Sequence, residues 1–196
     1  MSYKKIPFDS SESLWRRFDP SQDVLDTLAL TLSPEQTIAQ LYDAQLYIDM
    51  ANFIAHALPM RESIWWCATA LELRWDHWGE LERDTLLHCK NWVLEPEEAK
   101  RRLIEQRVGQ LGHKCAMGWL AQAVVWNGSG SIGAPEQPEV LPAPYLFAKA
   151  VGGAINTSAL VPQWQGYAEF YRDVRDIAED IARGGRGQKR TAEALS

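Results

Sequence analysis

The side chains that could do chemistry in this chain are few and scattered. The candidate metal ligands and nucleophiles are His56, His77, His88, His113, Cys67, Cys89 and Cys115. No two histidines have the spacing of an HExxH zinc site. His88 and Cys89 are neighbours, so a helix would point them about 100° apart. His77 beside Asp76 could form a lone acid/base pair, although a surface histidine at a helix end explains the same pattern. The histidines and cysteines therefore predict neither a metal site nor a catalytic centre.

The stretch NGSGSIG, residues 127–133, has the small residues of a phosphate-binding loop. A phosphate cradle needs a helix that begins directly after the glycines, whereas prolines follow here. No GxSxG, P-loop or GxGxxG motif occurs. Glu72 and Asp76 are four residues apart, which is commonplace on solvated helices. We expect no cofactor and no catalytic residue, and an enzyme of unknown class stays as an alternative because motif-free active sites exist.

Two adjacent tryptophans stand out in RESIWWCATALELRW, which begins at Arg61. Neighbouring helical residues point about 100° apart, so Trp65 and Trp66 cannot share one helix face. One interpretation is a central helix that is packed from both sides. The other is that Trp65, beside the polar Thr69 and Glu72 on the helical wheel, is exposed and anchors a partner, because tryptophan is enriched at interface hot spots.

The residues that we predict to bind a protein partner are the two tryptophans and apolar residues in and around the loop after Trp126. They are Trp65, Trp66, Trp126, Ile132, Val140, Leu141 and Tyr145. Prolines in this loop would lower the entropy lost on docking, and the apolar residues would supply contact area. The alternative is that the loop only straps across the domain and covers its core.

These residues must be positioned by helices, because strand signals are nearly absent and helix punctuation is abundant. Ser33 and Gln36 predict a capping box around Pro34, with a break in the following helical pattern near Asp43. Gly112 is a natural end for a later helix. We predict an all-α fold, a compact bundle or short α-solenoid of seven to nine helices, with a long proline-rich loop over residues 134–144.

Three segments follow from composition. Residues 1–22 are interpreted as an N-terminal extension, residues 23–183 as a single helical domain, and residues 184–196 as a disordered polar tail.

Charge and hydropathy narrow the class of protein. The net charge of −6 argues against nucleic-acid binding, which usually needs a basic face. No apolar run reaches the length of a membrane span or a signal peptide, so we expect a cytoplasmic protein that does not bind membranes. The three cysteines are odd in number and widely spaced, which is typical of reduced core thiols.

Four segments carry a family resemblance: FIAHALPMRESIWWCATALE, NWVLEPEEAKRR, WNGSGSIGAPEQPEVLPAPYLFAKAVGGAI and DIAEDIARG. Over residues 33–184 the chain resembles a bacterial all-helical domain family of unknown function. The family has SGGSL where this chain has NGSGSIG, which affects the expected shape of the loop. The resemblance implies an association with type VI secretion genes, where members look like accessory proteins for toxin loading beside a larger chaperone. It implies binding and no catalysis.

Together these observations predict a non-enzymatic adaptor or co-chaperone. Its partner would be a secreted effector toxin or that effector's dedicated chaperone. The alternative is a stand-alone protein-binding scaffold, or an immunity-type protein that neutralises a toxin, since many toxins are basic and this chain is acidic.

Overall fold

The structure of the protein, a computed structural model, describes residues 3–133 and 136–189. The described residues contain ten α-helices and no strand. The helices are α1 (Glu12–Trp15), α2 (Gln22–Thr27), α3 (Pro34–Asp43), α4 (Tyr47–Ala57), α5 (Met60–Glu72), α6 (Glu80–Leu94), α7 (Glu98–Leu111), α8 (Ala116–Val125), α9 (Leu146–Ser158) and α10 (Tyr167–Arg183). Short 3-10 helices occur at Trp75–His77, Gly112–Lys114 and Trp164–Gly166. The predicted all-α class is confirmed.

Local signals in the sequence act as expected at several helix ends. The Ser33 hydroxyl accepts a hydrogen bond from the Gln36 backbone N–H, and the Gln36 side chain accepts one from the Ser33 N–H. The helical pattern after Asp43 breaks at Gln45, which has a positive φ of 59°. Gly112 ends α7 with a φ of 65°. These short-range bonds satisfy backbone groups that every helix leaves free at its ends.

Helix α5 lies at the centre of the domain. It contacts α4, α6, α8, α9 and α10, so apolar residues on several of its faces are buried. Helices α8 and α9 pack against each other most extensively. Cys67 on α5 and Cys89 on α6 are free and buried, and burial raises the pKa of both thiols. The centre of the domain is therefore a buried, largely apolar helical core.

The N-terminal segment belongs to this core, although the sequence suggested an extension. Its buried apolar side chains are Tyr3, Ile6, Leu14, Trp15 and Phe18. The Lys5 backbone N–H also donates to the Ala182 carbonyl at 2.9 Å, which joins the segment to the end of α10. Residues 3–22 thus pack on the helical domain.

Candidate protein-binding surfaces

Trp66 is a core residue. Its side chain is fully buried between α5 and α10, and its indole N–H donates to the Val174 carbonyl at 2.9 Å. A ring enclosed in this way has no surface to offer a partner. The prediction that Trp66 binds a protein is therefore wrong for this fold, because α5 is packed from both sides.

Trp65 is half-buried and already has a partner within the chain. Its indole N–H donates to the Arg186 carbonyl at 2.9 Å. The Lys90 ammonium nitrogen lies 4.7 Å from the ring centroid, within cation–π range. Residues 184–189, assigned from the sequence to a disordered tail, are thus held against the domain, and residues 190–196 lie outside the described residues.

The proline-rich loop, a name that we extend from here to residues 127–144, exposes most of the apolar residues predicted there. Ile132, Val140 and Leu141 are exposed, whereas Trp126 is half-buried against the core. The Ile132 backbone N–H donates to the Val140 carbonyl at 2.8 Å. The Val140 N–H donates to the Ser131 hydroxyl at 3.1 Å. These bonds place Ile132 and Val140 opposite each other across the loop. Residues 134 and 135 of the predicted loop lie outside the described residues.

A buried arginine holds the start of this loop. The Arg101 guanidinium donates to the Val125 carbonyl at 3.3 Å and to the Ser131 carbonyl at 3.0 Å. It also donates to both carboxylate oxygens of Glu98 at 2.6 Å. A Cβ atom at Gly130 would lie 2.6 Å from Arg101 Nε, so only glycine permits this approach. The hydrogen bonds from Arg101 hold the pKa of Glu98 below its usual value.

Tyr145 ends the loop and ties it to the N-terminal segment. Its φ is +62°, and its ring lies 4.2 Å from the guanidinium carbon of Arg17. The Arg17 guanidinium also lies over the Phe8 ring at 4.5 Å. The loop is thus strapped to the domain at both ends and exposes apolar side chains between them. One of the two interpretations, a strap across the domain, describes its ends, and binding of a partner stays a prediction.

A second surface, which sequence reasoning missed, is an apolar groove of about 610 Å³. It is lined by the start of α4, the end of α9 and the start of α10. The lining residues are Gln45, Tyr47, Ile48, Gly153, Asn156, Thr157, Ala159, Leu160, Trp164, Tyr167 and Tyr171. We call this surface the aromatic groove. Ile48, Leu160 and Trp164 are 60%, 61% and 62% exposed, which is unusual for adjacent large apolar side chains.

The walls of the aromatic groove are ordered by ring contacts. Tyr47 stacks on Tyr171 with ring centroids 5.2 Å apart, and Trp164 stacks on Tyr167 at 6.0 Å. The Tyr171 hydroxyl donates to Asn156 Oδ1 at 2.7 Å. Burial raises the pKa of Tyr171, so the hydroxyl stays protonated and donating. Among the described residues, the lining includes no carboxylate, lysine, arginine or histidine. Such a surface suits apolar side chains.

The chain also matches a known family. A family described as "Family of unknown function (DUF6931)" matches residues 37–182. The chain belongs to this family. Comparison with curated proteins and with solved structures gave no match.

The family match places the two surfaces in context. The aromatic groove and the proline-rich loop both lie within the residues that match DUF6931. The segment that covers Trp65, residues 184–189, lies just beyond them. Within the described residues, no group of three or more His, Cys, Asp or Glu side chains could hold a metal ion. Nor does that part of the chain contain a helix long and apolar enough to cross a membrane.

The aromatic groove could not be read from sequence periodicity. Its three parts are separated by up to about a hundred residues, and each part alone is an ordinary helix end. The available signal was the unusual density of large apolar residues at helix boundaries, with Tyr47 and Ile48 after one break and Leu160 and Trp164 around another.

Proposed function

We propose that this protein is a non-enzymatic adaptor or co-chaperone that binds another protein through the aromatic groove. The observation that carries the proposal is the cluster formed by Ile48, Leu160 and Trp164, which are large, apolar and exposed beside an uncharged groove. Contiguous exposed apolar surface on a folded domain marks an interaction site, because exposing it to water costs free energy.

The occupant we propose is an apolar segment of the partner, such as one face of an amphipathic helix. Helix-in-groove recognition uses large apolar anchors spaced along one face. A groove of about 610 Å³ has room for several such side chains. Covering the exposed part of Trp164 alone would contribute about 3 kcal/mol of gross transfer free energy, from roughly 25 cal/mol per Å² over about 120 Å².

The partner class follows from the family resemblance rather than from the groove. The motifs around Trp65 and the proline-rich loop resemble accessory proteins of type VI secretion loci. We therefore propose a secreted effector toxin, or that effector's dedicated chaperone, as the bound protein during loading. The exposed Ile132, Val140 and Leu141 of the proline-rich loop would supply a second contact, since they are apolar and held in place by hydrogen bonds.

Co-purification with defined partners tests the proposal. The tagged chain is expressed together with the effector and the chaperone of the same secretion locus. Wild type should retain one of them, and Trp164→Ala and Ile48→Ser should lose it while keeping the wild-type circular dichroism spectrum. Leu25→Ala is the matched control, because Leu25 is an exposed leucine outside the groove. Retention by the groove variants would contradict binding at the groove, and no capture of either protein would contradict the adaptor role.

The immunity-type function is the second candidate, favoured by the net charge of −6, which suits a basic toxin. A survival assay separates the two functions. An adaptor leaves cells that express the active effector unprotected, whereas an immunity protein rescues them.

A further inference from the structure

The segment after α10 makes more contacts with the domain than a helix end requires. We call residues 184–189 the C-terminal strap. The Gly184 N–H donates to the Ile181 carbonyl and the Gly185 N–H to the Asp180 carbonyl, both at 2.8 Å, which completes the helix end. The strap then continues with three further bonds that helix termination does not need.

Those three bonds bind the backbone of the strap. The Trp65 indole N–H donates to the Arg186 carbonyl at 2.9 Å. The next two backbone N–H groups, of Gly187 and Gln188, donate to the same Asp180 carboxylate oxygen at 2.8 and 2.9 Å. The Trp65 indole thus binds one backbone carbonyl of the strap, and the Asp180 carboxylate binds two successive backbone N–H groups. Backbone groups are common to all peptides, so this arrangement can bind any chain whose backbone turns at this point as the strap does.

The surface also selects for glycine. Gly187 has a φ of +95°, and a Cβ atom there would lie 3.2 Å from Ile177 Cγ2 and 3.3 Å from Thr69 Cγ2. A Cβ atom at Gly185 would collide with the Asp180 carboxylate. Residues with a side chain are therefore disfavoured at both places, for conformational and steric reasons.

One position of the strap has an acidic partner. Lys189 Nζ lies 3.1 Å from a carboxylate oxygen of Asp173. The Arg186 side chain is exposed, and its backbone carbonyl alone is bound. A cleft of about 390 Å³ lies beside the strap, lined in part by Trp65, Val93 and Leu94. This cleft has room for residues that flank a bound peptide.

We infer that Trp65, Thr69, Asp180 and Asp173 form a peptide-binding site that the C-terminal strap fills from within the chain. The ligand class is a segment of a partner protein that turns at a glycine in the place of Gly187 and carries a basic residue two positions later. The site shares no residue with the aromatic groove, so it does not depend on the proposed function. A partner must compete with the strap, whose local concentration is high because it is covalently linked.

A full-length variant that releases the strap tests this inference. Gly187→Val should dislodge the strap, because valine cannot adopt the backbone conformation and would press on Thr69 and Ile177. The probe is the fluorescently labelled peptide GGRGQK, followed by anisotropy. It should bind Gly187→Val and bind wild type at least tenfold more weakly. The peptide GGRAQK should not bind, and Trp65→Phe in the Gly187→Val background should weaken binding by removing the N–H donor. Gln188→Ala is the matched control and should behave as wild type, because it keeps the backbone N–H.

A measurement on wild type covers the case in which Gly187→Val does not fold. Hydrogen exchange of the Gly187 and Gln188 amides should be slow and should accelerate when unlabelled GGRGQK is added in excess. The inference would be overturned if a folded Gly187→Val protein did not bind GGRGQK, or if it bound GGRGQK and GGRAQK with equal affinity. So would wild-type amides that exchange at the same rate with and without the peptide.

Discussion

The indole N–H of Trp65 donates to the backbone carbonyl of Arg186 at 2.9 Å, across 121 positions of sequence. The neighbouring Trp66 donates to the carbonyl of Val174, which lies within α10, whereas Arg186 follows the end of that helix. The paired tryptophans of α5 thus bind two successive parts of the C-terminal region, one inside the core and one at its edge.

The two tryptophans should differ in their effect on stability. Trp66→Ala removes a fully buried ring and should lower the free energy of unfolding by about 3–5 kcal/mol. Trp65→Ala removes a half-buried ring and one hydrogen bond, and should cost about 1–2 kcal/mol. Urea denaturation of both variants measures the difference, with the exposed Trp164→Ala as control. Equal losses for Trp65 and Trp66 would contradict the assignment of one to the core and the other to the edge.

Arg101 should control the order of the proline-rich loop. Arg101→Ala leaves the Val125 and Ser131 carbonyls without their donor, so we expect a loss of about 2–3 kcal/mol in stability. Hydrogen exchange should accelerate over residues 128–133 and 136–141. Arg107→Ala is the matched control, because Arg107 is on the same helix but pairs with Asp84 on α6. It should change exchange in the loop far less. Unchanged loop exchange in Arg101→Ala would show that the loop is held by other contacts.

His56 should make stability depend on pH below neutrality. Burial lowers its pKa, and the nearby charges of Lys149 and Arg17 act in the same direction, against a hydrogen bond with the Asn52 carbonyl. The unfolded chain therefore binds a proton that the folded protein resists, so stability falls as the pH drops below about 6.5 toward the folded pKa.

The variant His56→Gln should flatten this part of the stability profile. Chemical denaturation at several pH values between about 7 and 5 measures the slope, and the exposed His77→Gln should keep the wild-type slope. An identical slope in His56→Gln and wild type would mean that other groups cause the acid sensitivity.

Two glycines should respond in opposite directions to alanine. A Cβ atom at Gly118 in α8 would collide with the carbonyl oxygen of Gly112. Because that oxygen belongs to the backbone, it cannot move aside as the end of a flexible side chain would. Gly118→Ala should therefore destabilise the protein by about 1–3 kcal/mol. Gly109 in α7 has open space around the same position, so Gly109→Ala should stabilise by about 0.5–1 kcal/mol through helix propensity. Thermal unfolding compares the pair, and a stabilised Gly118→Ala would contradict the close approach of α8 to the end of α7.

Several helix ends could be predicted from the sequence, because the residues that mark where a helix begins or ends lie close to that end. The capping box at Ser33, the break at Gln45 and the end at Gly112 each depend on residues within about four positions of one another. A helical hydrogen bond also spans four residues, so a short window contains most of the information about where a helix begins and ends. The prolines likewise placed Val140 and Leu141 in a loop, whereas their exposure is seen only in the tertiary structure.

The partners of each helix face were decided only by the tertiary structure. The sequence posed the choice between core and surface for Trp65 and Trp66, but the answer depends on α10, which is about a hundred residues away. The aromatic groove likewise exists only because the ends of α4 and α9 meet the start of α10. Packing between distant segments minimises the total apolar surface that the whole chain exposes to water. A short window of sequence contains only a small part of that surface, so it cannot predict which distant segments pack together.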